Sequence, residues 1–148
     1  MGIELTQMAL NRKIAQKRPL ENFFQLAEAA GIHQVELRND MTTSDGSETV
    51  IDGMQVAEFQ TLKQKYDLQI LTINAIQQFN NPAKLNKNRD LLTKLAELSA
   101  QIGNQAIIFV PEVNAQDKRT EQQRLDDAVS SLPVSYTHLR AHETRHDL

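Results

Sequence analysis

With 148 residues, 40% of them hydrophobic and 24% charged, the chain has the composition of one ordinary globular domain with its own core. A net charge of −3 gives no global attraction to nucleic acid or an anionic membrane, and the lack of cysteine excludes disulfides and thiolate chemistry. The opening MGIELTQMAL does not read as a secretory signal, and no stretch approaches the ~20 apolar residues of a membrane span, so the expected setting is the cytoplasm.

Short apolar runs alternate with longer segments of helical period. Residues 3–10 read as a first buried parallel strand. Pro19 suits a first helical turn, and Leu20, Phe23, Phe24 and Ala27 then follow the i, i+3, i+4, i+7 rule. Residues 34–37 form the second strand run. The long loop 41–53 carries Thr42, Thr43, Ser44, Asp45, Gly46 and Ser47, and its length suits a flap as well as surface slack. Val56, Phe59, Leu62 and Tyr66 make a second helical stripe, and 69–76 a third strand. Leu91, Leu95, Leu98 and Ile102 make the next stripe, followed by strand 106–110. Leu125, Ala128, Val129 and Leu132 form the fourth stripe, introduced by Thr120 and Gln123 at capping-box spacing.

These units keep step. Gly31, Asp67 and Gly103 each close a helix and lie 36 residues apart. At the same offset Val35, Leu71 and Ile107 coincide, as do Leu37, Ile73 and Phe109. A constant strand-to-strand period with one intervening helix is the signature of repeated right-handed β/α units. Two α/β folds accept it, a doubly wound open sheet and half of an eight-fold barrel. The first strand parity is wholly apolar, whereas the other holds Glu4, Thr6, Gln34, Glu36, Arg38, Thr72 and Asn74. An open sheet covered on both faces would bury both parities in apolar contacts, so a barrel with a polar lumen explains the difference better. No G-x-G-x-x-G turn follows the first strand either. The expected fold is the first four β/α units of a (β/α)8 TIM barrel, spanning residues 1–132.

In such barrels the working groups sit at the carboxyl ends of strands. Gln7, Asn11, Glu36, Arg38, Asn39, Asp40, Asn74, Gln77, Asn80 and Glu112 occupy those positions, with amides and carboxylates suited to gripping a polyol. Glu36, Arg38, Asn74 and Glu112 are the substrate-binding candidates. The competing reading pairs Glu36 with Arg38 inside the lumen. Turn chemistry is the expected role of Asn11, Asp40 and Asn80. Arg12, Lys13, Lys17 and Arg18 form a basic run on the first strand-to-helix loop. It suits the phosphate of a sugar phosphate, although such runs more often are solvated loops. Phe79 is either a sugar-stacking ring or, by default, a packed core ring.

MALNRKIA after the first strand, VELRND at the second and INAIQQFNN at the third resemble the xylose isomerase-like TIM-barrel (sugar phosphate isomerase/epimerase) family. The likeness leans toward its 2-keto-myo-inositol (inosose) isomerase branch. AIIFVPEVN and the preceding LLTKLAELSAQIG are similar to the family's fourth unit, so the resemblance covers roughly residues 3–132. It implies a cytoplasmic isomerase of inositol or related carbohydrate metabolism, acting on a small-molecule sugar or polyol. It also implies a divalent metal that polarises oxygen while a base moves a proton between adjacent carbons. The family's metal ligands come from strands five to eight. This stretch is therefore expected to hold no metal, to supply only the substrate-side wall, and to be inactive alone. DNA-repair endonucleases share the barrel, but an acidic chain with one basic loop suits them less, and no nucleic-acid or membrane partner is expected. A non-catalytic half-barrel that pairs into a homo-oligomer through its open sheet edges is the alternative from another class.

After Leu132 the pattern stops. Residues 133–148, PVSYTHLRAHETRHDL, hold three of the four histidines and a literal H-E-x-x-H at His142–His146. A zincin needs that motif inside a sizeable domain with a further ligand beyond it. VSYTHLRAHET resembles the translation of a transposase-end sequencing adapter, so this tail is read as non-native and disordered, with metal binding there adventitious.

Overall fold

Parallel strands alternating with helices run through the described residues, 2–41 and 47–132 of a computed structural model. Strands β1 (Leu10–Asn11), β2 (Gln34–Arg38), β3 (Gln69–Gln77) and β4 (Ala106–Val110) form one parallel sheet in that order. Helices α1 (Leu20–Ala29), α2 (Val56–Lys65) and α3 (Leu85–Ile102) connect them, and a fourth helical segment, α4, covers 121–132. Spatial order equals chain order, as in consecutive barrel units; a doubly wound sheet reverses its order at a switch point. The four expected β/α units are present. The loop residues 42–46 and the whole 133–148 segment, including His142–His146, lie outside the described residues.

The chain divides into two compact units, Met1–Ala75 with Leu98–Ile108, and Ile76–Glu97 with Phe109–Leu148. In the first unit, the α1 stripe of Leu20, Phe23, Phe24 and Ala27 is fully buried, as are Val35 and Leu37 of β2 and Ile73 of β3. Phe24 sits at the centre of this core, with Phe59 edge-on at 6.0 Å and Tyr66 edge-on at 6.3 Å between ring centroids. Edge-to-face aromatic pairs add roughly 0.5–1.5 kcal/mol beyond the area they bury. Lys63 Nζ donates to Ile102 O at 2.9 Å and Gln60 Nε2 to Gln101 O at 2.6 Å, which ties α2 to the end of α3.

The 36-residue beat has a backbone cause. Gly31, Asp67 and Gly103 all take left-handed φ, at 72°, 49° and 78°. After α1, Ile32 N donates to Ala27 O and Gly31 N to Glu28 O, both at 3.0 Å. After α2, Leu68 N donates to Lys63 O and Asp67 N to Gln64 O, both at 3.1 Å. This double bond pattern satisfies the last carbonyls of a helix, and its left-handed position favours glycine.

Three sequence expectations change. The first strand is only Leu10–Asn11, where Leu10 pairs with Val35. Upstream, Leu5–Gln7 forms a 3-10 turn closed by reciprocal bonds between Glu4 and Gln7, and Ile3 and Leu5 stay exposed. Local capping wins there because this segment buries none of its side chains, so no packing opposes the turn. Secondly, a register irregularity at Val35/Glu36 sets Val35 opposite Ile70 rather than Leu71, and the 36-residue offset holds only from Glu36↔Thr72 onward. Ile70 is therefore buried where Leu71 is half-exposed.

Thirdly, α4 starts at the predicted capping box, with Gln123 N donating to Thr120 Oγ1 at 3.1 Å and Thr120 N to Gln123 Oε1 at 2.8 Å. Its apolar stripe, however, faces out: Leu125 is 53% and Val129 70% exposed. The inward face is instead Arg124, Asp127, Ala128 and Ser131, which share the same helical spacing. Asp127 Oδ2 accepts from Arg119 Nη1 at 2.8 Å, and Arg124 Nη1 donates to Arg119 O at 2.8 Å. These charged tethers fix the rotation of the helix.

Candidate functional site

The ends of β2 and β3 carry the polar residues of the first unit. Glu36 registers with Thr72 and Arg38 with Asn74. Because side chains alternate along a strand, these four share one face of the sheet, opposite Leu37 and Ile73. Three of the four candidates, Glu36, Arg38 and Asn74, are thus brought together as the alternation implies.

The pairing inside this group differs from the simplest expectation. Glu36 does not pair with Arg38. Its Oε1 accepts from Thr72 Oγ1 at 2.8 Å and its Oε2 accepts from Asn11 Nδ2. Asn11 also performs the expected turn chemistry, since its Oδ1 accepts from Lys13 N at 2.8 Å and caps the short 3-10 helix Arg12–Ala15. Arg38 makes a two-pronged bond to Asp40, Nε to Oδ1 and Nη2 to Oδ2, both at 2.7 Å. That fork matches guanidinium to carboxylate geometry and outcompetes Glu36. The same bond holds the Asp40 carboxyl below its ordinary range against the opposing effect of burial, and raises Arg38 above its own. Asn39, between them, is fully buried.

Glu112 lies in the second unit, in a network of its own. Its Oε1 accepts from Gln78 Nε2 at 3.1 Å and Asn114 Nδ2 at 3.0 Å. Its Oε2 accepts from Asn81 Nδ2 at 3.0 Å and Arg119 Nη2 at 3.1 Å. Asn80 is buried, accepts the Glu112 backbone N–H at 2.7 Å, and so holds the exit of β4 rather than serving a simple turn. Arg119 gathers Glu112, Asp117 and Asp127 around one guanidinium, and its hydrogen bond pulls Asp117 down to about 2. Phe79 stacks edge-on against Phe109 at 5.7 Å, the packed-ring alternative. Sequence reasoning missed Arg119, which also donates to Asn80 O at 2.6 Å and whose partners come from separate loops and α4 rather than from one helix or strand.

The basic run divides. Lys13, Lys17 and Arg18 are exposed as in a solvated loop, whereas Arg12 is 2% exposed. Its guanidinium donates to Ala15 O and to Arg18 O, lies 3.8 Å from Asp52 Oδ1, and sits 5.6 Å over the Phe23 ring. Burial lowers its pKa, with Asp52 acting in the opposite direction. Asp52, also missed in sequence, accepts from Leu20 N at 2.8 Å and so caps α1 from the next loop. No signal links two positions 32 residues apart.

Among the described residues, no three His, Asp or Glu side chains converge in a way that would hold a metal. No helix among them is long and apolar enough to cross a membrane.

The sequence matches no family model and no curated protein. Solved structures do match. A xylose isomerase domain-containing protein from Salmonella typhimurium LT2 is 29% identical with a TM-score of 0.68, over 94% of this chain and 48% of that one. The IolI protein crystallised with a bound zinc atom is 20% identical with a TM-score of 0.71, over 90% of this chain and 48% of that one. A sugar phosphate isomerase/epimerase from Parabacteroides distasonis is 12% identical with a TM-score of 0.57, over 90% of this chain and 51% of that one. The chain therefore carries the fold of the first half of a xylose isomerase-like TIM barrel, as the sequence resemblance implied. It spans about half the length of the solved chains that it matches.

Proposed function

We propose that residues 3–132 form the substrate-side wall of a barrel that isomerises or epimerises a keto-polyol, of which 2-keto-myo-inositol is the leading instance. The observation that carries this reading is the Glu36 group. A carboxylate offers about four acceptor positions, and Asn11 and Thr72 use two of them. The remaining lone pairs are free to accept substrate hydroxyls. Arg38 and Asn74 stand one alternation further along the same face and supply donors for neighbouring oxygens. In this role Glu36, Arg38 and Asn74 orient the sugar.

The resemblance implies that side chains outside residues 3–132 would hold a divalent metal in the complete barrel, and that metal would polarise the carbonyl or hydroxyl oxygen. Support for it comes from the zinc atom in the IolI structure. Proton transfer between adjacent carbons then needs the substrate held still, and that is the work of this wall.

The test is isomerisation of 2-keto-myo-inositol and simple ketoses by the complete barrel, followed by proton NMR in deuterated water. Glu36→Gln removes a charged acceptor and raises KM by about ten-fold or more, with a smaller change in kcat. An unchanged KM in that variant, or no turnover of any ketose by the wild type, sinks the reading.

A further inference from the structure

Between the β1–α1 loop and the β2–α2 loop lies a cavity of about 600 Å³, lined by Arg12, Lys17, Arg18, Met41, Thr49 and Asp52 among others. From this cavity we infer a phosphate-binding subsite, adjoining the polyol wall through Asn11, that accepts the phosphate group of a phosphorylated sugar or polyol. The inference rests on the polyol reading only for what the phosphate is attached to.

Arg12 carries the argument. A guanidinium has five N–H donors, and the hydrogen bonds to Ala15 O and Arg18 O use two of them among the described residues. Its carboxylate partner, Asp52, is 3.8 Å away, beyond hydrogen-bond reach. A side chain that is 2% exposed thus keeps a charge, and donors to spare, against a cavity. Buried donors are nearly always satisfied, by protein, water or ligand.

The lining has three cations to one carboxylate, Asp52, whose Oδ2 caps α1 at Leu20 N while its Oδ1 faces Arg12, so positive charge remains in excess. Lys17 and Arg18 are exposed at the rim, placed to meet a dianion from outside. A phosphate monoester brings two charges and three terminal acceptors, which suits this set better than a carboxylate with one charge. The volume leaves room for carbon atoms beside the phosphate. Asn11 joins the two regions: its side chain touches Glu36, and the next residue is Arg12.

The experiment is titration calorimetry of the 148-residue chain with inorganic phosphate at low salt, repeated with fructose 6-phosphate and with fructose. Saturable phosphate binding is expected. Lys17→Ala and Arg18→Ala each weaken it roughly three-fold, as befits exposed cations, while Lys94→Ala leaves it unchanged. Arg12→Gln weakens it about ten-fold or more, provided its circular dichroism melt remains cooperative. If that variant does not fold, the Lys17 and Arg18 variants decide. No saturable binding of phosphate or fructose 6-phosphate, or equal loss in Lys94→Ala, overturns the subsite. Phosphate binding without any contribution from the fructose moiety leaves the subsite standing and removes the polyol reading instead.

Discussion

Glu36 and Arg38 sit two residues apart on one strand face, and each takes a different partner. The outcome follows from geometry: Asp40 offers both oxygens to the flat Arg38 fork, while Glu36 meets neutral donors from β1 and β3. The strand alternation made these residues legible as a group, because a polar parity beside an apolar one needs a reason. It could not reveal the partners, since Asn11 lies 25 residues and Thr72 36 residues from Glu36. Glu36→Gln keeps the size and one acceptor, so chemical denaturation should register a loss of less than about 1.5 kcal/mol. Phe24→Ala, which empties the aromatic centre of the same unit, should cost about 3–5 kcal/mol. If the two variants lose equal stability, Glu36 is a structural group and the substrate role is wrong. Asp117 offers a check on the second unit. Its folded pKa of about 2 lies below the ordinary 3.8, so its link to Arg119 stabilises above pH 4 and is lost as the pH falls through 2. Carbon-13 titration of that carboxyl should show a midpoint near 2; a midpoint at its usual value means the Arg119 hub does not form.

Helix ends were the most legible elements, and helix rotation the least. The positions 31, 67 and 103 announce left-handed closure by their spacing, and all three adopt it. Asp67 is the misfit, because a side chain there pays for a conformation that glycine adopts freely. Its ion contact with His33 is 3.7 Å long and its side chain is 95% exposed, so little is lost with it. Asp67→Gly should therefore raise stability by about 0.5–1 kcal/mol in a urea melt, and a loss instead would mean the His33 contact outweighs the backbone strain. At α4 the capping box was readable from Thr120 and Gln123, but the stripe of Leu125 and Val129 pointed to the wrong face. Apolar periodicity assumes that burial sets the rotation. Here Arg119 sets it, by holding Asp127 and receiving Arg124, and no pattern in the sequence encodes such a hub.

At the scale of the whole molecule, repeated units explain why half of a barrel's length was readable without a family model: each β/α unit repeats the same strand, helix and closure. The described residues also leave large apolar side chains open. Ile3 is 72% exposed in the first unit, and Leu125 and Val129 form an exposed stripe in the second. Covering one such side chain fully contributes about 1.5–3 kcal/mol, so an uncovered stripe is a standing drive toward association. Leu125→Lys with Val129→Lys removes that drive without touching the Arg119 hub, whose partners lie on the opposite helix face. The double variant should bind less of the hydrophobic dye ANS and sediment at a smaller mass than the parent chain at equal concentration. The helix itself should survive, because its cap at Thr120 is unchanged and lysine is a good helix former. Unchanged sedimentation would show that the α4 stripe drives no association, and the open edge at Leu10–Asn11 would then be the face to block next.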